Sequence, residues 1–201
     1  MKAVLLNGSP RKEGNTYSAL MEMKKIFDTE NIEAEIIQVG SRMLTGCHAC
    51  GGCGKTGKCV IDDGANEIIE KMREADAVVL GSPVYYAGVN GTFKGFLDRA
   101  FIIAGKDMRL KVGASVVAMR RGGGSATFDE LNKYFFITEM IVAGSSYWNS
   151  VHGTAPGTAQ KDEEGMQTMR KLARNISYIL KLKENSSVSI PENEPKVSTN
   201  L

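Results

Sequence analysis

Ala3-Val4-Leu5-Leu6-Asn7-Gly8-Ser9-Pro10-Arg11-Lys12-Glu13-Gly14-Asn15-Thr16 is the stretch on which the fold turns. An unbroken apolar run ends in Gly-Ser-Pro, and a helix-period pattern then carries on from Asn15 to Phe27. A short continuous apolar run between turn signals suits a strand buried on both faces of a parallel sheet. The alternation repeats outward. Strands are expected at Ala34–Val39, Ala77–Leu80, Val112–Met119 and Ser146–Val151. Helices are expected from the Asp62-Asp63 cap to about Glu74, then over Gly91–Ala104, Phe128–Val142 and Glu163–Lys183, the last with a basic end that suits the helix dipole. Strands alternating with helices predict an α/β chain with a doubly wound five-stranded parallel sheet of order 2-1-3-4-5.

The chain has 201 residues, enough for one α/β domain, with 42% hydrophobic and 24% charged residues. That balance excludes wholesale disorder, collagen and a disulfide-dense mini-protein. A net charge of +2 sets up no broad field for nucleic acid or an anionic membrane, so neither is expected as a partner. Apolar runs such as Phe101–Ala104 are too short to span a bilayer, and Ala3–Leu6 is too short for a signal-peptide core. A reducing cytoplasmic location is therefore expected. Residues 1–184 read as one ligand-binding domain containing a cysteine-rich loop at 45–60. Residues 185–201, with two prolines and few large apolar side chains, read as a mobile or docked tail.

At the end of the first strand, a phosphate would meet free backbone N–H groups and the positive end of a helix dipole. Ser9, Asn15 and Thr16 add neutral donors there, and Arg11 adds charge. The loop has neither the G-x-x-x-x-G-K-[ST] spacing nor G-x-G-x-x-G, so a nucleoside triphosphatase and a standard Rossmann dehydrogenase lose support. The plainer reading is an ordinary strand-to-helix turn. The third strand leads into Ser82-Pro83-Val84-Tyr85-Tyr86-Ala87-Gly88, with two aromatics, flat apolar surface and a glycine that lets backbone approach a ring. The fourth leads into Arg120-Arg121-Gly122-Gly123-Gly124-Ser125, rich in N–H donors and positive charge. Taken singly, these could be core-capping tyrosines and a flexible turn. All three loops fall at the carboxyl end of the sheet, where doubly wound folds bind ligands, and together they suit a planar, phosphorylated heterocycle.

Gly8-Ser9-Pro10-Arg11 with Gly14-Asn15-Thr16, Ser82-Pro83-Val84-Tyr85-Tyr86, and the Lys94…Asp98-Arg99 helix resemble the NADPH-dependent FMN reductase family of the flavodoxin superfamily, over about residues 1–150. The resemblance implies a flavodoxin-like fold and FMN, with Ser9, Arg11, Asn15 and Thr16 around the phosphate. It further implies Pro83, Val84, Tyr85, Tyr86 and Gly88 along the ribityl chain and ring, and Arg121, Gly122, Gly123 and Gly124 over the far side. NAD(P)H as electron donor and a homodimer or homotetramer are also implied.

Cys47, Cys50, Cys53 and Cys59 are all the cysteines of the chain, and they fall within thirteen residues as C-x2-C-x2-C-x5-C among glycines. So tight a group reads as one site. Three cysteines at x2 intervals suit an iron–sulfur cluster, where glycines let the loop curl. Zinc prefers separated knuckles or histidine partners, a disulfide is disfavoured in a reducing compartment, and a metal-free dithiol stays open. The same four cysteines, just before the second helix, resemble the motif of the iron–sulfur flavoprotein family. That resemblance implies FMN, a 4Fe–4S cluster and ferredoxin as electron donor, with a small-molecule or redox-protein acceptor.

His152 reads as a structural or solvent histidine, and Met166 and Met169 as core at i, i+3 spacing. No Ser–His–Asp or Cys–His arrangement is visible, so the chemistry is expected on the cofactors. The leading expectation is an FMN-dependent oxidoreductase carrying a 4Fe–4S cluster. The alternatives are a cluster-free NAD(P)H-dependent FMN or quinone reductase and a non-enzymatic zinc-stabilised docking module.

Overall fold

The computed structural model describes residues 1–195 and 197–199. β1 (Lys2–Asn7) sits inside the sheet, buried from Ala3 onward, and pairs in parallel with β2 (Glu33–Gln38) and β3 (Ala77–Tyr85). β3 continues to β5 (Val112–Met119), and a two-residue β4 (Gly88–Val89) folds back antiparallel on the end of β3. The order is β2-β1-β3-β5-β6, with β6 (Ile141–Val142) and β7 (Ser150–His152) both paired in parallel to β5. This is the expected doubly wound α/β architecture.

The pleat explains the layers. Ala3 and Leu5 point to one face and Val4 and Leu6 to the other, because side chains alternate along a strand. On the first face pack α1 (Asn15–Thr29) and α6 (Glu163–Glu184), which supply Leu20, Met23, Phe27, Met166, Met169 and Leu172. On the second pack α3 (Ala65–Glu74), α4 (Gly91–Ala104) and α5 (Gly124–Ile137), with Ile68, Met72, Phe93, Phe96 and Phe135. A single turn of helix, α2 (Cys53–Thr56), interrupts the long connection between β2 and α3. α6 is capped by Asp162, whose side chain accepts from Gly165 N at 3.0 Å, and it carries Lys181 and Lys183 in its last turn. Among the described residues, no helix is long and apolar enough to cross a membrane.

Two expectations need correction. The fifth strand, expected over Ser146–Val151, is only β7, and the helix expected over Phe128–Val142 is α5, ending at Ile137, with the two-residue β6 in what was expected as helix. Glu139 adopts φ 56°, which turns the chain out of the helix and into β6. Between β6 and β7, the single hydrogen on Ser145 Oγ faces two acceptors, Tyr147 O at 2.7 Å and Asn149 Oδ1 at 2.6 Å. Side-chain bonds of this kind offer the backbone an alternative to the ladder. Asp63 does accept from Ala65 N, 3.3 Å away, but its main partner is Arg99 and not the helix end, while Asp62 is exposed. Past α6, the Pro191 carbonyl accepts from Arg109 Nη2 at 2.9 Å. Within the expected tail, residues 196, 200 and 201 lie outside the described residues.

Candidate functional site

The carboxyl ends of β1, β3 and β5 meet around a cavity of about 160 Å³. The phosphate-loop side is built from the strand upward. Asn7 is fully buried, accepts from Ser9 N at 3.1 Å and donates to Gln38 Oε1 at 2.7 Å. Gln38 Nε2 in turn donates to Ser9 O at 2.6 Å, and Ser9 Oγ accepts from Arg11 N at 3.1 Å. The chain leaving β2 passes so close that a Cβ on Gly40 would collide with the Gly8 carbonyl, so this crossing requires glycine. The loop is thereby fixed before any ligand arrives.

α1 begins at this loop with Gly14 as its N-cap, and no side chain caps it. The free N–H groups and dipole of such an end favour an anion. Thr16 Oγ1, in the first turn of α1, lines the same cavity and is buried without a hydrogen-bond partner. A buried orphan hydroxyl calls for a partner, and a phosphate oxygen answers that need. Arg11 and Arg120 bring positive charge to the rim. The residues present therefore fit a phosphorylated ligand such as FMN.

Of the residues singled out from sequence, Ser9, Arg11, Asn15, Thr16, Pro83, Val84 and Tyr85 line this cavity. Asn15 also has a structural duty, since its Oδ1 accepts from Ala159 N at 3.0 Å and ties α1 to the segment after β7. Tyr86, Gly88, Arg121, Gly122, Gly123 and Gly124 do not line it. Tyr86 is fully exposed with φ 49°, Gly88 lies in β4, and Gly123 rests against Val84 and Ala87. The 121–124 loop thus packs on the 84–87 loop just outside the cavity. Arg120, the first residue of the glycine-rich loop singled out from sequence, does line it, whereas sequence reasoning missed Ala118, Met119, Gly153 and Thr154 in the lining, and Asn7 and Gln38 beneath it. A polar residue at the buried end of each of two adjacent strands was the available signal for the last two.

The cysteine loop forms a second cavity, of about 240 Å³, lined by all four cysteines and walled by Val60, Ile61, Ile102 and Ile103. Every cysteine is free; Cys47 and Cys50 are exposed, and Cys53 and Cys59 are half-buried. Among the described residues, no three His, Cys, Asp or Glu side chains stand in metal-holding geometry. His48 bonds Thr45 Oγ1 at 3.0 Å. The donor set is nonetheless dominated by four thiols, with His48 beside them, around a largely apolar cavity, a chemistry that suits an iron–sulfur cluster.

The loop is docked on α4. Gly46 and Gly95 lie backbone to backbone, and a Cβ on Gly95 would come within 3.3 Å of Gly46 Cα. Four residues further along, Arg99 is only 1% exposed. Its Nη1 donates to Asp63 Oδ2 at 2.6 Å and to Thr45 O at 2.9 Å; its Nη2 donates to Asp63 Oδ1 at 3.0 Å and to Cys59 Sγ at 3.1 Å. Burial pulls the Asp63 carboxyl upward, but the hydrogen bonds from Arg99, Thr45 N and Ala65 N outweigh it and hold the pKa below the usual carboxylate value. Removing one partner of a buried pair costs about 3–5 kcal/mol, so Arg99 and Asp63 pin the loop.

Comparisons with known proteins identify relatives of the chain. The NADPH-dependent FMN reductase family model matches residues 1–155. An iron–sulfur flavoprotein of Methanocaldococcus jannaschii is 38% identical over 90% of this chain and 98% of its own length. One from Methanosarcina thermophila is 32% identical over 90% and 96%. Among solved structures, RosB with bound 8-demethyl-8-formylriboflavin-5'-phosphate superposes with a TM-score of 0.73 at 15% identity, over 100% of this chain and 95% of that one.

Proposed function

Because this chain belongs to the iron–sulfur flavoprotein family, and through residues 1–155 to the NADPH-dependent FMN reductase family, we propose that it passes electrons from a ferredoxin-type donor through a 4Fe–4S cluster and FMN to an acceptor. The coarser statement, an FMN-dependent oxidoreductase, follows from family membership itself. Cys47, Cys50, Cys53 and Cys59 hold the cluster in this reading. Ser9, Arg11, Asn15 and Thr16 bind the FMN phosphate, and Pro83, Val84 and Tyr85 lie along its ribityl chain and ring. Residues 1–184 form the FMN domain in this reading, with 185–201 as a polar C-terminal tail.

One observation carries the reading. The loop that ends at Asn90 on the flavin side continues directly into α4, and α4 supports the four-thiol loop through Gly95 and Arg99. A single helix therefore connects the loop beside the first cavity to the loop that forms the second. FMN supplies two-electron storage and one-electron release. The protein's own part is to bind and orient. The Asn7–Gln38 scaffold presents Ser9, α1 presents its N–H groups and the Thr16 hydroxyl, and Arg11 and Arg120 balance anionic charge.

A second reading is a cluster-free reductase taking hydride from NAD(P)H. The family named for NADPH supports that donor. Anaerobic reduction separates the two. Reduced ferredoxin should bleach the bound flavin far faster than NADPH does, and Cys50→Ala should abolish only the ferredoxin route. Fast reduction by NADPH with no response to ferredoxin would replace the first reading with the second.

A further inference from the structure

The four cysteines are not held alike. Cys59 has both backbone groups clamped by one side chain, since its N–H donates to Asn66 Oδ1 at 2.8 Å and its carbonyl accepts from Asn66 Nδ2 at 2.9 Å. Its sulfur accepts from Arg99 Nη2 at 3.1 Å. Cys59 is thus fixed from α3 by Asn66 and from α4 by Arg99. Cys47 and Cys50 are exposed, with one backbone contact between them, from Ala49 N to Cys47 Sγ at 3.4 Å. Cys53 starts a helix of four residues. Arg99 itself is over-committed: its fork serves Asp63, Thr45 and Cys59, while its buried Nε has no partner. A side chain placed only to neutralise Asp63 would not need a sulfur as its third partner.

We infer that Arg99 is a positioning residue that fixes Cys59 as the preformed ligand of the cysteine loop and sets the reduction potential of the group bound there. The inference rests on the cluster reading above and adds to it an unequal division of labour among the ligands. Hydrogen bonds to ligating sulfur and nearby charge are the levers by which a protein tunes such a site. Each one-electron reduction adds negative charge at the sulfurs. A guanidinium donating to Cys59 Sγ favours that reduced form, and Asp63, bonded to the same guanidinium, opposes it. Two substitutions on one ion pair are therefore expected to act in opposite directions. Arg99→Lys keeps the charge beside Asp63 but loses the fork that reaches Cys59, so the potential falls. Asp63→Asn leaves the guanidinium uncompensated, so the potential rises.

The test is a redox titration of anaerobically purified wild type, Arg99→Lys and Asp63→Asn, read by the low-temperature electron paramagnetic resonance of the reduced cluster. Iron, sulfide and FMN per chain are measured on the same samples. Arg99→Lys is expected to shift the reduction equilibrium about tenfold toward the oxidised form, about 59 mV for one electron. Asp63→Asn is expected to shift it the other way, with FMN content unchanged in both. Equal potentials at full iron content, or shifts of the same sign, would overturn the role of Arg99 while leaving the cluster reading intact. If Arg99→Lys fails to fold by circular dichroism, the sign of the Asp63→Asn shift decides alone. Iron-free wild type would overturn the cluster reading itself, and this inference with it.

Discussion

Asn7 and Gln38 face each other in register across the parallel β1–β2 pair, joined by a 2.7 Å hydrogen bond from Asn7 Nδ2 to Gln38 Oε1. Their other amide atoms hold Ser9: Asn7 Oδ1 accepts from the Ser9 N–H, and Gln38 Nε2 donates to the Ser9 carbonyl. Two strand-end amides therefore shape the phosphate loop without lining the cavity. Gln38→Leu would leave Asn7 and the Ser9 carbonyl without their partner, at about 1–3 kcal/mol. FMN affinity should fall about tenfold, since 1.4 kcal/mol is about a factor of ten. Titration of flavin fluorescence against apoprotein measures it.

Thr16→Val is the sharper probe of the phosphate subsite. The Thr16 hydroxyl has no partner in the protein, so removing it breaks no intramolecular bond. Stability without flavin should stay the same or rise slightly. FMN binding should weaken by roughly tenfold, the loss of one hydrogen bond to a charged group. Weaker stability with unchanged affinity would mean the hydroxyl is structural.

Cys50→Ala or Cys53→Ala should abolish cluster absorbance and leave FMN bound. Both side chains lie in the loop lined by Val60 and Ile102, and neither lines the cavity at the head of α1. The visible spectrum with iron and flavin assays decides it. Loss of flavin together with iron would make the loop a folding element of the whole domain.

Glu22 offers a pH-dependent test of the opposite layer. It links α1 to α6 through Arg170 Nη1 at 2.7 Å, with Lys25 Nζ 3.1 Å away. Burial raises its pKa, but the bonds to Arg170 and Lys25 outweigh burial and hold it below its ordinary 4.5. A carboxyl depressed in the folded state stabilises above its unfolded pKa, and that stability is lost as pH falls through the folded value. Glu22→Gln should therefore lower Tm at pH 7 by the equivalent of about 0.5–1 kcal/mol. The difference from wild type should vanish at pH well below 4.5. Paired thermal melts at the two pH values read the effect.

The fold was legible because its signals are local. Ala3–Leu6, Ala77–Leu80 and Val116–Met119 are continuous apolar runs, and each lies in a strand of the sheet. The short β6 and the late start of the last strand were not legible, because they follow from the turn at Glu139 and the side-chain bonds of Ser145. At the site, residues next to β1 and β3 were readable from loop chemistry. Gly153 and Thr154 were not, because a chain segment far along the sequence is brought there by β7 and Asn15. Arg99 shows a third case. It stands among Phe96, Leu97 and Ala100 on a buried face, a visible oddity, but its partners Thr45, Cys59 and Asp63 lie 54, 40 and 36 residues away. Only tertiary structure joins that oddity to the cysteine loop.

The most direct test of the account is anaerobic purification of the full chain, with FMN, iron and acid-labile sulfide measured per chain on one sample. The account predicts one FMN with about four irons and four sulfides, and a broad absorbance beneath the flavin bands that bleaches with dithionite. Stoichiometric FMN with neither iron nor sulfide would contradict it, and would leave the four thiols of the loop without the group proposed for them.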